Sequence, residues 1–229
     1  MKPLRTRRSL AQDVAERIEE EILAGHFRPG EHLVEARIAE QLGISRGPVR
    51  EAFRLLSAEG LLKGEPGRGT SVARLSSTDV HEIYELRLAL ETRAVRVIAT
   101  RHRKADLREL RRLLQRLGRA AADGDVGAVS RADLAFHEAV CRLTGNRRLH
   151  AVFMRHVPLL AALIRLDEHL YRSPDTIVEQ HRPLLAAIEA ADTGAAVALF
   201  ERHIDEARDL VCRYVDALPD PRLDAREDG

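Results

Sequence analysis

The sequence predicts a mainly α protein in two parts, a small N-terminal unit of three helices with a hairpin and a C-terminal all-α bundle of about six helices. Three observations carry that prediction. Apolar residues recur at three-to-four-residue spacing along most of the chain. Glycine is frequent before residue 75 and rare after it. One segment alone, LLKGEPGRGTSVARL, sets apolar pieces on either side of a loop with three glycines and a proline, the signature of a small hairpin. The boundaries follow as 1–75, 76–217 and a polar tail, 218–229, expected to be flexible.

The first helix runs over 9–24, with Ser9 as N-cap, Val14, Ile18, Ile22 and Leu23 in helical phase, and Gly25 as terminator. HFRPGEHL follows, its Pro29-Gly30 pair marking a turn between short extended pieces. VEARIAEQLG gives a second helix closed by Gly43, and ISRGPVREAFRLL opens a third that ends at Glu59-Gly60.

That third helix starts with a glycine and a proline, which would be poor choices in a helix interior. Ser45 is a natural N-cap, however, and Pro48 then falls in the first turn, where a missing amide costs little. Gly47 keeps the helix start slim enough for close approach to another surface. At about 100° per residue, Val49, Ala52, Phe53, Leu55 and Leu56 share one face, and Arg46, Arg50 and Arg54 share another. An arginine face is commonly just solvated. Here a helix of suitable length and a tight QLGIS turn precede it, which makes a helix-turn-helix whose second helix suits a DNA major groove. The GEPGRGT loop that follows has the form of a wing, slim at Gly67 and Gly69 and cationic at Arg68, suited to a minor groove. Three parts in this order favour double-stranded DNA as partner over a solvated helix. Arg54, two turns in, points away from the groove axis and is expected to meet a phosphate at most.

From Ser76 onward, Gly, Asp, Asn, Ser or Pro interrupt the helical pattern near 104, 123–127, 144–147, 172–175 and 191–194, dividing 76–217 into about six helices. Composition bounds the rest. Apolar residues at 45% indicate a folded protein, and a net charge of +1 names no partner. Only MKPLRTRR is locally basic, a candidate arm for phosphates or simply a solvated end. Aromatics at 3%, with no Trp, argue against single-stranded nucleic-acid binding by stacking. Two cysteines, Cys141 and Cys212, form no framework and read as buried small residues. With no apolar leader and no apolar run of spanning length, a cytoplasmic protein without membrane association is expected.

The bundle carries one chemical constellation. ADLAFHEAV puts Asp133 and His137 four residues apart on one helical face, EQHRPLL supplies His181, and ERHIDEA supplies His203. One Asp and three His can ligate a first-row metal, with two ligands from one turn and one from each of two further helices. Spacing alone does not prove that they converge, because the chain holds ten histidines. An alternative is a helical metal-dependent hydrolase working through an activated water. No HExxH and no His-Asp doublet supports it, and no general base stands obviously beside the cluster. A purely packing role in a dimerisation module is a third reading.

The stretch from RPGEHL to GTSVA, with Pro29-Gly30, Leu33, Glu35, Leu42-Gly43, Ser45-Arg46, Val49-Arg50-Glu51-Ala52, Leu56 and Glu59-Gly60, resembles the winged helix-turn-helix of the GntR transcription-factor superfamily. The resemblance covers residues 9–74. It implies that Arg46 and Arg50 contact bases or flanking phosphates, Ser45 a phosphate, and Gly67 and Arg68 the minor groove. One departure is Ala36, where many members carry an arginine used on DNA. Arg37 lies one residue further on, so that contact is not transferred. From Ser76 to Val215, ELRLALE, DLAFH, Asn146, EQH and RHI resemble the FCD effector-binding domain of FadR-type regulators, in the six-helix VanR-like branch. That likeness implies a divalent metal ion (zinc, nickel or manganese) on Asp133, His137, His181 and His203. It also implies a small carboxylate or sugar-acid effector at Arg87 and Asn146, and a homodimer on an inverted-repeat operator. Arg87 is equally placed for a salt bridge to Glu91, and Asn146 for a helix cap. No catalytic role is expected.

Overall fold

The structure, a computed structural model, describes residues 9–65, 69–170, 173 and 175–217. Within them the order of elements is α1 (Leu10–Leu23), β1 (His32–Leu33), α2 (Glu35–Leu42), α3 (Arg46–Ala58), β2 (Leu62–Glu65) and β3 (Gly69–Val72), then α4 (Ser77–Arg101), α5 (Lys104–Ala122), α6 (Val126–Leu143), α7 (Arg147–Leu170), α8 (Asp175–Glu189) and α9 (Thr193–Ala217). A mainly α fold with a small N-terminal sheet and a C-terminal run of six helices is what the sequence pattern predicts. The wing tip (Gly67, Arg68), the basic N-terminal segment and residues 218–229 lie outside the described residues.

The N-terminal helices begin and end where their local chemistry requires. Ser9 and Gln12 form a reciprocal capping box, the Ser9 hydroxyl accepting from the Gln12 amide at 3.2 Å and the Gln12 side chain accepting from the Ser9 amide at 2.9 Å. Gly43 closes α2 in the left-handed conformation, φ 65°, which a glycine adopts at no steric cost. Ser45 occupies the N-cap of α3 with extended dihedrals, but its hydroxyl caps no amide. Counting Arg46 as the first helical residue, Pro48 stands third, and its nitrogen carries no hydrogen for a cap to accept.

The hairpin of β2 and β3 is antiparallel, pairing Leu62 with Val72 and Lys63 with Ser71. The short extended piece before α2 completes the sheet: β1 pairs antiparallel with β3, giving the order β1-β3-β2. Pairing is anchored at the Pro29-Gly30 turn, where the Gly30 amide donates to the Val72 carbonyl at 2.9 Å.

Chain contacts divide the protein into two compact units, one from Met1–Arg74 with Met154–Arg165, the other from Leu75–Phe153 with Leu166–Gly229. The first is built on Val14, Ile18, Leu33, Ile38, Val49, Phe53, Leu56, Leu62 and Val72. Leu159 and Ala162, from the middle of α7, lie against this core, which is why that segment belongs to it. In the second unit α4 packs on α9, α5 on α6 and α8, and α4 and α8 close the arrangement against α6 and α9. Leu117, Ala121, Val129, Ala132, Ile177 and Val178 form a core seam between α5, α6 and α8. Cys141 and Cys212 are both buried and free.

Candidate metal centre and DNA-reading helix

Four helices of the second unit direct polar side chains inward. Asp133 and His137 share a face of α6, one turn apart; His181 comes from α8 and His203 from α9. The structure brings all four together, with one potential ligand atom from each lying within 4.8 Å of every other. The Nε2 atom of His137 lies 3.2 Å from that of His181 and 3.3 Å from that of His203. Asp133 Oδ1 stands 2.7 Å from His181 Nε2 and 3.7 Å from His137 Nε2. Ligands held at about 2.0–2.1 Å from one ion, at angles between octahedral and tetrahedral, would be separated by about 2.9–3.4 Å, the range the imidazole nitrogens occupy.

Hydrogen bonding fixes the tautomers so that the lone pairs face one another. His137 Nδ1 sits 2.6 Å from Glu91 Oε2, and His181 Nδ1 sits 2.8 Å from the Ile177 carbonyl. Both partners can only accept, so both Nδ1 atoms donate, and in the neutral rings each Nε2 presents a lone pair. Two lone pairs 3.2 Å apart beside a carboxylate do not satisfy each other. A divalent cation satisfies all of them, so the donor set fits the group that the resemblance implies.

The electrostatics agree. Burial, aided by the positive potential of His181, His137 and Arg87, holds His203 well below its ordinary value. Burial likewise lowers His137, against the pull of Glu91. Burial pushes the Asp133 carboxyl up, but His181, His137 and Arg87 together hold it well below the usual carboxylate range. His137 and His203 are therefore poised as neutral imidazoles and Asp133 as an ionised carboxylate, the forms that bind metal. Phe136 meets the rings of His137 and His181 edge-on, and Phe200 does the same to His137. Both phenylalanines are fully buried, so the centre is walled by apolar rings. His203 is the least enclosed of the four and borders a cleft of about 290 Å³ whose wall includes Gln180, Leu184, Leu199 and Arg202.

Arg87, on α4, is only 2% exposed and donates from Nε to Glu91 Oε1 at 2.8 Å. The salt bridge is thus present, yet the buried Nη2 has no hydrogen-bond partner among the described residues. Asn146 caps α7, its Oδ1 accepting from the amides of Arg148 and Leu149 at 3.1 Å each, and the described contacts do not tie it to the cluster. The contact that sequence reasoning missed is Glu91 with His137, 46 positions apart. Its signal was a charged pair, Arg87 and Glu91, on the face of α4 that otherwise buries Val80, Tyr84, Ala94, Val95 and Ile98.

In the first unit, Ser45, Arg46, Gly47 and Arg50 lie exposed along the start of α3, while Val49, Ala52, Phe53 and Leu56 are buried and Leu55 is partly so. Arg50 is held across helices: its Nε and Nη2 each lie 3.1 Å from Glu35 Oε2. Arg54 pairs with Glu51 at 3.3 Å. No described helix is long and apolar enough to cross a membrane.

A helix-turn-helix with a winged sheet, joined in one chain to a helical bundle holding a metal-type donor set, defines a class of DNA-binding transcriptional regulators with a separate sensory part. The sequence matches the profile for bacterial regulatory proteins of the gntR family over residues 10–72 and that of the FCD domain over residues 82–206. It is 33% identical to the HTH-type transcriptional regulator YdhC of Bacillus subtilis (strain 168), over 76% of this chain and 79% of that protein. It is 34% identical to a probable D-xylose utilization operon transcriptional repressor of Paenarthrobacter nicotinovorans, over 87% of each. Among solved structures, a GntR transcriptional regulator from Rhodococcus sp. RHA1 superposes with a TM-score of 0.76 at 25% identity, covering 91% of this chain and 99% of that one. The chain belongs to the GntR family of bacterial transcriptional regulators, in the group that carries a C-terminal FCD domain. Its relatives are regulators and not enzymes, and nothing favours the hydrolase reading of the cluster.

Proposed function

We propose that the protein is a metabolite-responsive regulator that binds an inverted-repeat operator as a homodimer, with residues 1–75 reading DNA and residues 76–217 binding effector and pairing the protomers. Arg46 and Arg50 contact bases or adjacent phosphates, Ser45 a phosphate, and Gly67 and Arg68 the minor groove. Asp133, His137, His181 and His203 hold a divalent ion, zinc, nickel or manganese, whose remaining positions are open to water or to an effector oxygen. The effector is a small carboxylate or sugar acid, with Arg87 Nη2 as the free guanidinium donor for its carboxylate. Asn146 is the weaker member of that pair, since its oxygen already serves as a helix cap. The single observation that carries the sensory reading is the convergence of three imidazole nitrogens and one carboxylate from three helices. A relative named for a D-xylose utilization operon fits a sugar-derived effector.

Effector binding alters operator affinity only as far as the effector prefers the DNA-competent or the incompetent state, and the coupling is reciprocal. The test is a thermal-shift screen of small carboxylates and sugar acids on chelator-stripped protein, with and without added zinc, nickel or manganese, followed by operator titration with any acid that shifts melting. The expected result is metal-dependent stabilisation, a further shift from one class of acid, and loss of both in His203→Ala, which still folds without metal. Equal melting with and without metal, with none retained after gel filtration, would overturn the sensory reading.

A further inference from the structure

We infer that Glu91 is the positioning residue of this centre, a buried carboxylate on α4 that orients His137 toward the ion and raises its donor strength. The inference rests on the proposed metal reading of the cluster. Glu91 is fully buried, as is His137, and Arg87 nearly so. An ionised acid at such a place requires partners, and Glu91 divides its two oxygens between two of them. Oε1 accepts from Arg87 Nε at 2.8 Å, and Oε2 accepts from His137 Nδ1 at 2.6 Å.

The division is informative because a simpler arrangement was open. An Arg–carboxylate pair can form a two-armed fork, satisfying two guanidinium hydrogens at once. Here the pair is one-armed, with Arg87 Nη2 buried and lacking a hydrogen-bond partner among the described residues. Glu91 forgoes a second bond to arginine and spans from α4 to α6 to meet the imidazole. Counter-charge for Arg87 alone does not explain that choice.

The three imidazoles are consequently supported unequally. His137 is backed by a carboxylate, His181 by the Ile177 carbonyl at 2.8 Å, and His203 Nδ1 by no hydrogen bond among the described residues. A carboxylate behind a ligating histidine fixes its ring and makes Nε2 the more basic ligand. His137 is therefore the anchor ligand, and affinity for the ion runs through Glu91.

The probe is Co2+, measured by competition with a chelator and by its visible absorption. Glu91→Gln keeps an oxygen for the Nδ1 hydrogen but removes the charge, and Co2+ affinity is expected to fall by about 10–100-fold. Because that change leaves Arg87 buried without a counter-charge and can impair folding, Arg87→Gln and the double variant Arg87→Gln/Glu91→Gln form the decisive comparison. Passing from Arg87→Gln to the double variant should still cost about ten-fold or more in affinity and move the d–d bands of bound Co2+. If the double variant binds as tightly as Arg87→Gln with an unchanged spectrum, Glu91 serves only to neutralise Arg87 and the inference fails. A wild-type protein that binds no Co2+, Zn2+ or Ni2+ would instead overturn the metal reading itself.

Discussion

At the residue scale, side chains that face each other across elements decide more than those that share one. Arg50 presents its guanidinium from α3, but Glu35 on α2 grips it through two nitrogens. Such a grip pre-organises the arginine and, on the proposed function, would leave only part of its donor fork for DNA. Glu35→Gln is expected to keep the fold while weakening discrimination between operator and random DNA, and Arg50→Ala to lose operator binding without altering the melting of the helical domain. Fluorescence anisotropy on matched and scrambled duplexes checks both. Retained operator affinity in Arg50→Ala would remove α3 as the reading helix.

Ser9 and Ser45 make an internal control. Both stand at N-caps, but only Ser9 caps. Ser9→Ala should cost about 1 kcal/mol of stability in denaturant titration, and Ser45→Ala almost none in the free protein. Glu19 gives a pH signature: burial, with Glu59, Glu16 and Glu20 nearby, raises its carboxyl from 4.5 to about 7. A raised acid keeps its proton longer when folded, so stability falls as pH climbs from about 4.5 toward 7. Glu19→Gln should therefore stabilise the protein at pH 8, by about 1 kcal/mol after allowance for solvent screening at this partly exposed site, and do little at pH 4. Stabilisation equal at both pH values would show that charge is not the cause.

At the scale of elements, helices were the legible part of the sequence. Breaks expected near 104, 123–127, 144–147 and 191–194 coincide with the ends of α4, α5, α6 and α8, because Gly, Asp, Asn and Thr at those places favour caps and turns over continuation. Asp125 shows the mechanism, its side chain accepting from the Ala128 amide at 2.9 Å to start α6. The two-residue β1 was legible only as an extended piece, since its partner β3 lies 37 and 39 positions away and a local pattern holds no record of pairing. The Asp and His cluster was nameable by residue type, but its convergence was not, because it depends on how α6, α8 and α9 face one another. Gly43 illustrates a position where local backbone overrides everything else. A Cβ there would meet nothing within 4 Å, yet φ is +65°. Gly43→Ala should cost about 1 kcal/mol from backbone strain alone, seen as a lower melting temperature with unchanged side-chain packing in near-ultraviolet dichroism.

For the molecule as a whole, the buried cluster is expected to set how stability responds to acid and, on the proposed function, to metal. His137 and His203 are held neutral by burial below their ordinary range near 6.5. The unfolded chain takes up protons first as pH falls, so the metal-free protein should lose stability progressively below about pH 6.5, and its denaturation midpoint between pH 8 and 5 measures the loss. A flat midpoint across that range would show that the imidazoles are not buried neutral. Joining Asp133 and His137 to His181 and His203 also ties together segments 44 and 66 positions apart. An ion there is a reversible cross-link. Unlike a disulfide, it is lost when the chain unfolds, so it would stabilise by mass action on the folded state and not by restricting the unfolded chain. At free metal about 100-fold above the dissociation constant, the linkage is worth about 2.7 kcal/mol. The helical domain would thus carry a stability indexed to available metal, and its lifetime against proteolysis would fall in metal-poor conditions before any gene is regulated.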